Sequence, residues 1–200
     1  MNPTTPANPM IPAIPTTPAI PTIPTTPMTP ANPMKYLETS IERFQIRHAK
    51  PEDAAHILGF IRELAEYEGL LPEVVATEEA LAETIFGKKA AEVLIGEWDG
   101  VPVGFALFFH NYSTFLAKPG IYLEDLYIQP AMRGRGLGKA MLSCLARLAL
   151  ERDCGRLEWW CLDNNAPSIA FYRSLGAESM DDWTVYRMTG DTLTRLAGLG

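Results

Sequence analysis

The sequence predicts one α/β domain, a mixed sheet flanked by helices, behind a Pro-rich low-complexity tail over residues 1–34. Three observations predict it. Beyond Lys35 the hydrophobic period switches repeatedly between that of a strand and that of a helix, in the order β-α-α-β-β-β-α-β-α-β. Proline occupies every third position from 3 to 33, which is 11 of the chain's 17, and nothing up to Met34 carries a side-chain charge. All 17 Lys+Arg and 24 Asp+Glu therefore fall in the rest of the chain, raising the charged share there to roughly the 25% of an ordinary soluble domain.

The tail cannot build a core. Polyproline II has about three residues per turn, so this period stacks every Pro ring along one edge of an extended rod of about 100 Å. It reads as a spacer, a ligand for a Pro-binding module, or a plain low-complexity extension. A proline in every third place also forbids the helical apolar run of a signal peptide, and no stretch reaches the ~20 apolar residues of a membrane span, so no membrane partner is expected. The domain that follows is large enough to bury roughly 70% of its unfolded surface without a disulfide or a metal. Cys144, Cys154 and Cys161 show no CxxC spacing and the three histidines are scattered, so neither a disulfide framework nor a metal site is expected, and a reducing cytoplasm fits best. A formal charge of −7 disfavours nucleic acid as a partner.

Each element has its own signal. Phe44 to Arg47 reads as a short strand; Pro51 then opens a helix to about Glu68 with Ile57, Ile61, Leu64 and Ala65 on one face. Thr77, followed by Glu78 and Glu79, starts a second helix ending near Gly87. Apolar runs Val93 to Trp98 and Val103 to His110 flank Asp99-Gly100, a hairpin signal. Ile121 to Ile128 is a strand, Gly136 to Arg152 a helix with Met141, Leu145, Leu148 and Ala149 on its apolar face, and Arg156 to Cys161 a strand. A helix from about Pro167 to Leu175 and a strand from Trp183 to Met188 complete the set.

The stretch Gln129-Pro-Ala-Met-Arg133-Gly134-Arg135-Gly136-Leu137-Gly138-Lys139 leaves a strand and opens a helix. Its glycines allow a tight turn that presents several unpaired N–H groups at a helix N-terminus, an anion cradle to which Arg133, Arg135 and Lys139 add positive charge. The spacing is neither that of a dinucleotide fingerprint nor that of a Walker A loop. In Ile121-Tyr-Leu-Glu124-Asp125-Leu-Tyr-Ile128, two adjacent carboxylates interrupt an apolar strand; strict alternation points them to opposite faces, where burial without a partner costs several kcal/mol. Asn165, Ser168 and Tyr172 recur at helical spacing and present three polar groups on one face, although Tyr172 also suits a core aromatic.

Arg133-x-x-Gly136-x-Gly138 resembles the acetyl-CoA pyrophosphate loop of the GNAT acyltransferase superfamily, and four further stretches resemble its spermidine/spermine (diamine) N-acetyltransferase branch. These are Phe44-Gln-Ile-Arg47, Ile61-Arg-Glu-Leu-Ala-Glu-Tyr-Glu68, Tyr122-Leu-Glu-Asp125 and Asn165-Ala-Pro-Ser-Ile-Ala-Phe-Tyr172. The resemblance implies a single GNAT domain over 43–197, with a mixed, mostly antiparallel central sheet flanked by helices, acetyl-CoA as co-substrate, no metal, and a homodimer. It implies Tyr172 as the acid that protonates departing CoA thiolate and Glu124 as the group that binds the ammonium and takes its proton. It implies cofactor contacts at Leu126, Tyr127, Ile128, Arg133, Gly134, Arg135, Gly136, Leu137, Gly138, Lys139, Asn165 and Ser168. It implies acceptor contacts at Tyr67, Glu68, Glu124, Glu158, Trp159 and Trp160.

The expected activity is acetyl transfer to a primary amine of a small cationic substrate, by direct attack in a ternary complex. Two tryptophans at 159 and 160 are bulky for a polyamine channel and bring a lysine-like or thialysine-like amino acid, or a short diamine, into consideration. The alternatives are acetylation of a protein N-terminus or lysine, and a non-catalytic CoA-binding module recruited through its Pro-rich arm.

Overall fold

Five strands form one sheet in the order β1-β2-β3-β4-β5 in the computed structural model, which describes residue 37 and residues 39–199. They are β1 (Phe44–His48), β2 (Glu92–Trp98), β3 (Val101–Ser113), β4 (Lys118–Ile128) and β5 (Leu157–Trp159). All pair antiparallel except β4 with β5, which is parallel. The helices are α1 (Ala54–Glu68), α2 (Glu78–Leu81, continued by a π-helical turn Ala82–Gly87), α3 (Leu137–Glu151), α4 (Ala166–Ser174) and α5 (Gly190–Leu196). The Pro-rich tail expected over 1–34 lies outside the described residues.

Local chemistry explains where the elements start and turn. Thr77 caps α2 by accepting a hydrogen bond from Ala80 N at 3.2 Å. Asp99 and Gly100 both adopt positive φ, 50° and 79°, the two-residue turn whose twist matches a hairpin, and Trp98 pairs directly with Val101.

β2 is buried from Val93 to Glu97 because both faces are covered. On one face Ile57 and Phe60 of α1, with Ile85, pack on Val93, Ile95, Phe105 and Tyr127. On the other, Met141, Leu145 and Leu148 of α3 pack on Phe44, Ile46, Leu94, Phe108 and Leu123. Each fully buried side chain of this size contributes roughly 1.5–3 kcal/mol. Arg47 on β1 joins the layers: its guanidinium reaches Asp53 at 2.7 Å ahead of α1 and Glu97 on β2 at 2.8 Å. Against the upward pull of burial, the Arg47 bonds and the Lys50 N–H hold the Asp53 carboxyl below its ordinary value.

The expected strand from Trp183 to Met188 does not form; those residues have no ladder partner and are exposed, and the chain then enters α5, which periodicity did not show. The alternation of Trp183 and Val185 is that of a strand, but β5 is only three residues long and forms no ladder with this segment.

Candidate active site

The site follows from two irregularities of β4. Leu107 pairs with Asp125 and Phe108 with Leu123, so Glu124 is an extra residue, a β-bulge. The bulge reverses the alternation. Ile121, Leu123, Leu126 and Ile128 pack toward α3, whereas Tyr127 packs toward α1, and Asp125 opposite Leu107 falls on that same side. The strict alternation expected for Glu124 and Asp125 is therefore broken: Glu124 stands exposed at the bulge while Asp125 turns inward and is half-buried.

The second irregularity is a divergence. β4 and β5 pair only through Ile121↔Leu157, Tyr122↔Glu158 and Leu123↔Trp159. Past Leu123 no strand among the described residues lies along the outer edge of β4, although its inner edge stays paired with β3 as far as Ile128↔Gly104. The cleft so formed is bordered by backbone amide groups, which an extended amide chain can match.

The cleft leads to the glycine loop. Gly134 and Gly136 have φ of 75° and 79°, which a side chain would strain by roughly 1–2 kcal/mol. No side chain caps α3 after Gly136, so the first N–H groups of that helix, at Leu137, Gly138 and Lys139, are left for an anion. Gly138 lies against α4, where an added Cβ would stand 3.6 Å from the Phe171 ring. The arginines do not all point into the cradle. Arg135 lies 5.2 Å over the Trp98 ring, and Arg133 turns toward α1, 4.7 Å over the ring of Tyr67. Lys139 is exposed on the first turn of α3.

α4 supplies the opposite wall. Asn165 caps it, its Oδ1 accepting from Ser168 N at 3.3 Å, so these two predicted cofactor contacts first of all hold the helix start. Tyr172 is half-buried, its ring 4.9 Å from Trp159 and 5.3 Å from Phe171. Burial, then the Cys161 and Glu68 charges, push its phenol up to about 12.

Carboxylates gather at the mouth. Burial pushes Asp125 up to about 6, reinforced by the charges of Glu124 and Glu68, and burial also raises Glu68 at the end of α1. The Cys161 thiol is raised by burial, then by Glu68 and Asp163. Glu68, Glu124, Asp125, Cys161 and Tyr172 thus share one electrostatic field. The predicted acceptor residues of β5 and the segment after it are held by other partners as well. Trp159 packs with Tyr172 against the α3-side core, and Glu158 is held by Asn111 Nδ2 and by Arg156 Nε at 3.1 Å. Trp160 meets Tyr122 edge-on at 5.7 Å.

The chain carrying this site matches known proteins. The acetyltransferase (GNAT) family profile matches residues 54–177. The chain belongs to the GNAT acetyltransferase family. It is 39% identical over 165 residues to the thialysine N-epsilon-acetyltransferase of Bos taurus, an alignment covering 76% of this chain and 96% of that protein. It is 32% identical over 195 residues to an L-ornithine N5-acetyltransferase of Arabidopsis thaliana, covering 74% of this chain and 86% of that one. Among solved structures, an aminoglycoside N-acetyltransferase in complex with CoA superposes with a TM-score of 0.60 at 21% identity, covering 79% of this chain and 99% of that one, a likeness of fold. This GNAT chain is an N-acetyltransferase.

Proposed function

We propose that the protein transfers an acetyl group from acetyl-CoA to a side-chain or terminal amine of a small cationic acceptor, a diamino acid or short diamine, by direct attack in a ternary complex. The observation that carries this reading is the unpaired β4 edge running into an uncapped glycine cradle, with carboxylates at one end and a protonated phenol on the facing wall. Thialysine and ornithine, named for two relatives, are diamino acids, which supports the acceptor class.

These residues fit acetyl-CoA. The β4 edge at Leu126 and Tyr127 would pair with the pantetheine amides, and the N–H groups of residues 137–139 would hold the pyrophosphate. The group supplies an activated thioester. Glu124, Asp125 and Glu68 draw in the ammonium, and a carboxylate titrating near 6 can take up the amine's proton, directly or through water, at neutral pH. The Tyr172 phenol, at about 12, remains protonated and offers its O–H to the sulfur. Full transfer to a thiolate of pKa near 8.5 would be uphill by roughly 4–5 kcal/mol. An ammonium seated on Glu68 cancels one of the charges that raise the phenol and so lowers that cost. Cys161, raised above the ordinary thiol value, is held as the neutral thiol and makes a poor acetyl carrier, which favours direct transfer. The test is CoA-thiol release on a panel of diamino acids, diamines and peptides: turnover on the small amines is expected, and turnover on peptides alone would overturn the acceptor class.

The homodimer belongs to the same reading. Trp183, Tyr186 and Leu196 are 71%, 93% and 73% exposed, and among the described residues the outer edge of β5 pairs with no strand, both of which favour association with a second copy. Light scattering that gives twice the chain mass is the expected result, and a monomer at micromolar concentration would refute it.

A further inference from the structure

Arg133 is the first residue of the cofactor loop, yet its guanidinium does not enter the cradle. Its Nε donates to the carbonyl of Ile128 at 3.0 Å, so the last carbonyl of β4 is already occupied. The Cζ lies 4.7 Å over the Tyr67 ring and 5.5 Å over the Tyr127 ring. Burial pushes the Tyr127 phenol up to about 12, with nearby Glu63 of α1 raising it further and Arg133 opposing. Glu63, Glu66, Tyr67, Tyr127, Pro130 and Arg133 line an open pocket of about 360 Å³ between α1 and the start of the loop.

The Arg133–Tyr67 contact joins the acceptor side of the site to the cofactor side, while the contacts to Ile128 and Tyr127 anchor Arg133 on the cofactor side. Tyr67 immediately precedes Glu68, a carboxylate of the mouth, and Arg133 immediately precedes Gly134, the first residue of the cradle with positive φ. Resting on the function proposed above, we propose that Arg133 is a positioning residue that couples the two half-sites, so that fixing the loop on CoA also fixes the last turn of α1. Because Tyr67 holds the first residue of the cofactor loop from α1, a change at Tyr67 alters CoA affinity. Cation–π contact supplies the link, and it needs the aromatic ring rather than the Tyr67 hydroxyl.

The experiment is isothermal titration of CoA, with no amine present, into the full chain carrying Tyr67→Ala, Tyr67→Phe, Arg133→Ala or the double change Tyr67→Ala/Arg133→Ala. Tyr67 is 49% exposed, so its replacement spares the core. The expected result is CoA binding weakened about three- to tenfold by Tyr67→Ala and kept within about twofold by Tyr67→Phe. The double variant should bind about as weakly as Arg133→Ala alone. Unchanged CoA affinity in Tyr67→Ala, or losses that multiply in the double variant, would overturn the coupling while leaving the proposed function standing. Failure of the unaltered protein to bind CoA would overturn both.

Discussion

Asp125→Asn tests the electrostatics of the mouth. It replaces a half-buried carboxylate by a neutral amide of the same shape. Asp125 has its pKa raised from 3.8 to about 6, by burial first and then by Glu124 and Glu68. A group whose folded pKa is raised stabilises the fold fully below its unfolded pKa, and that contribution is lost as pH rises through the folded pKa. At about 1.4 kcal/mol per unit, ionising Asp125 costs the wild-type fold about 2 to 3 kcal/mol between pH 4 and pH 7. The amide does not titrate, so whatever constant penalty it carries cancels between the two pH values. Urea unfolding of both proteins at pH 4 and pH 7 is the assay. The variant should gain about 2 to 3 kcal/mol relative to wild type on going from the lower pH to the higher. A difference independent of pH, or one that moves the other way, would refute the burial and clustering of these carboxylates.

Tyr172→Phe should lower kcat by roughly a hundredfold or more while leaving the Kd for CoA within about twofold; an unchanged kcat removes the phenol from the chemistry. Gly136→Val, at a φ of 79° ahead of α3, should abolish measurable CoA binding by titration while the chain stays folded by circular dichroism. Arg47→Ala strands the carboxylates of Asp53 and Glu97 and should cost the fold about 3 to 5 kcal/mol in denaturant melts; a loss under about 1 kcal/mol would show the cluster to be solvated.

The elements with periodic signals were legible in the sequence. The stripe Met141, Leu145, Leu148 does face the sheet, Thr77 does cap its helix, and Asp99-Gly100 does turn a hairpin. The loop between β4 and α3 was legible because three glycines at a strand-to-helix junction leave few other conformations. The bulge at Glu124 was not read. Two acids side by side in an apolar strand were its only sign, and alternation cannot tell a shifted phase from two buried charges. The segment from Trp183 to Met188 failed for another reason: its pattern is that of a strand, but a ladder needs a partner that local sequence does not report. The direction of the Arg133 side chain was equally hidden, since the rings that attract it come from α1 and β4.

The central claim is that the cleft between β4 and α4 performs acetyl transfer to a small cationic amine. Its most direct test is a thiol-release assay with acetyl-CoA and the wild-type chain against ornithine, thialysine and short diamines, run beside the Tyr172→Phe variant. The account predicts amine-dependent release of CoA that the substitution largely removes. No release above the rate without amine, from any member of the panel, would contradict it.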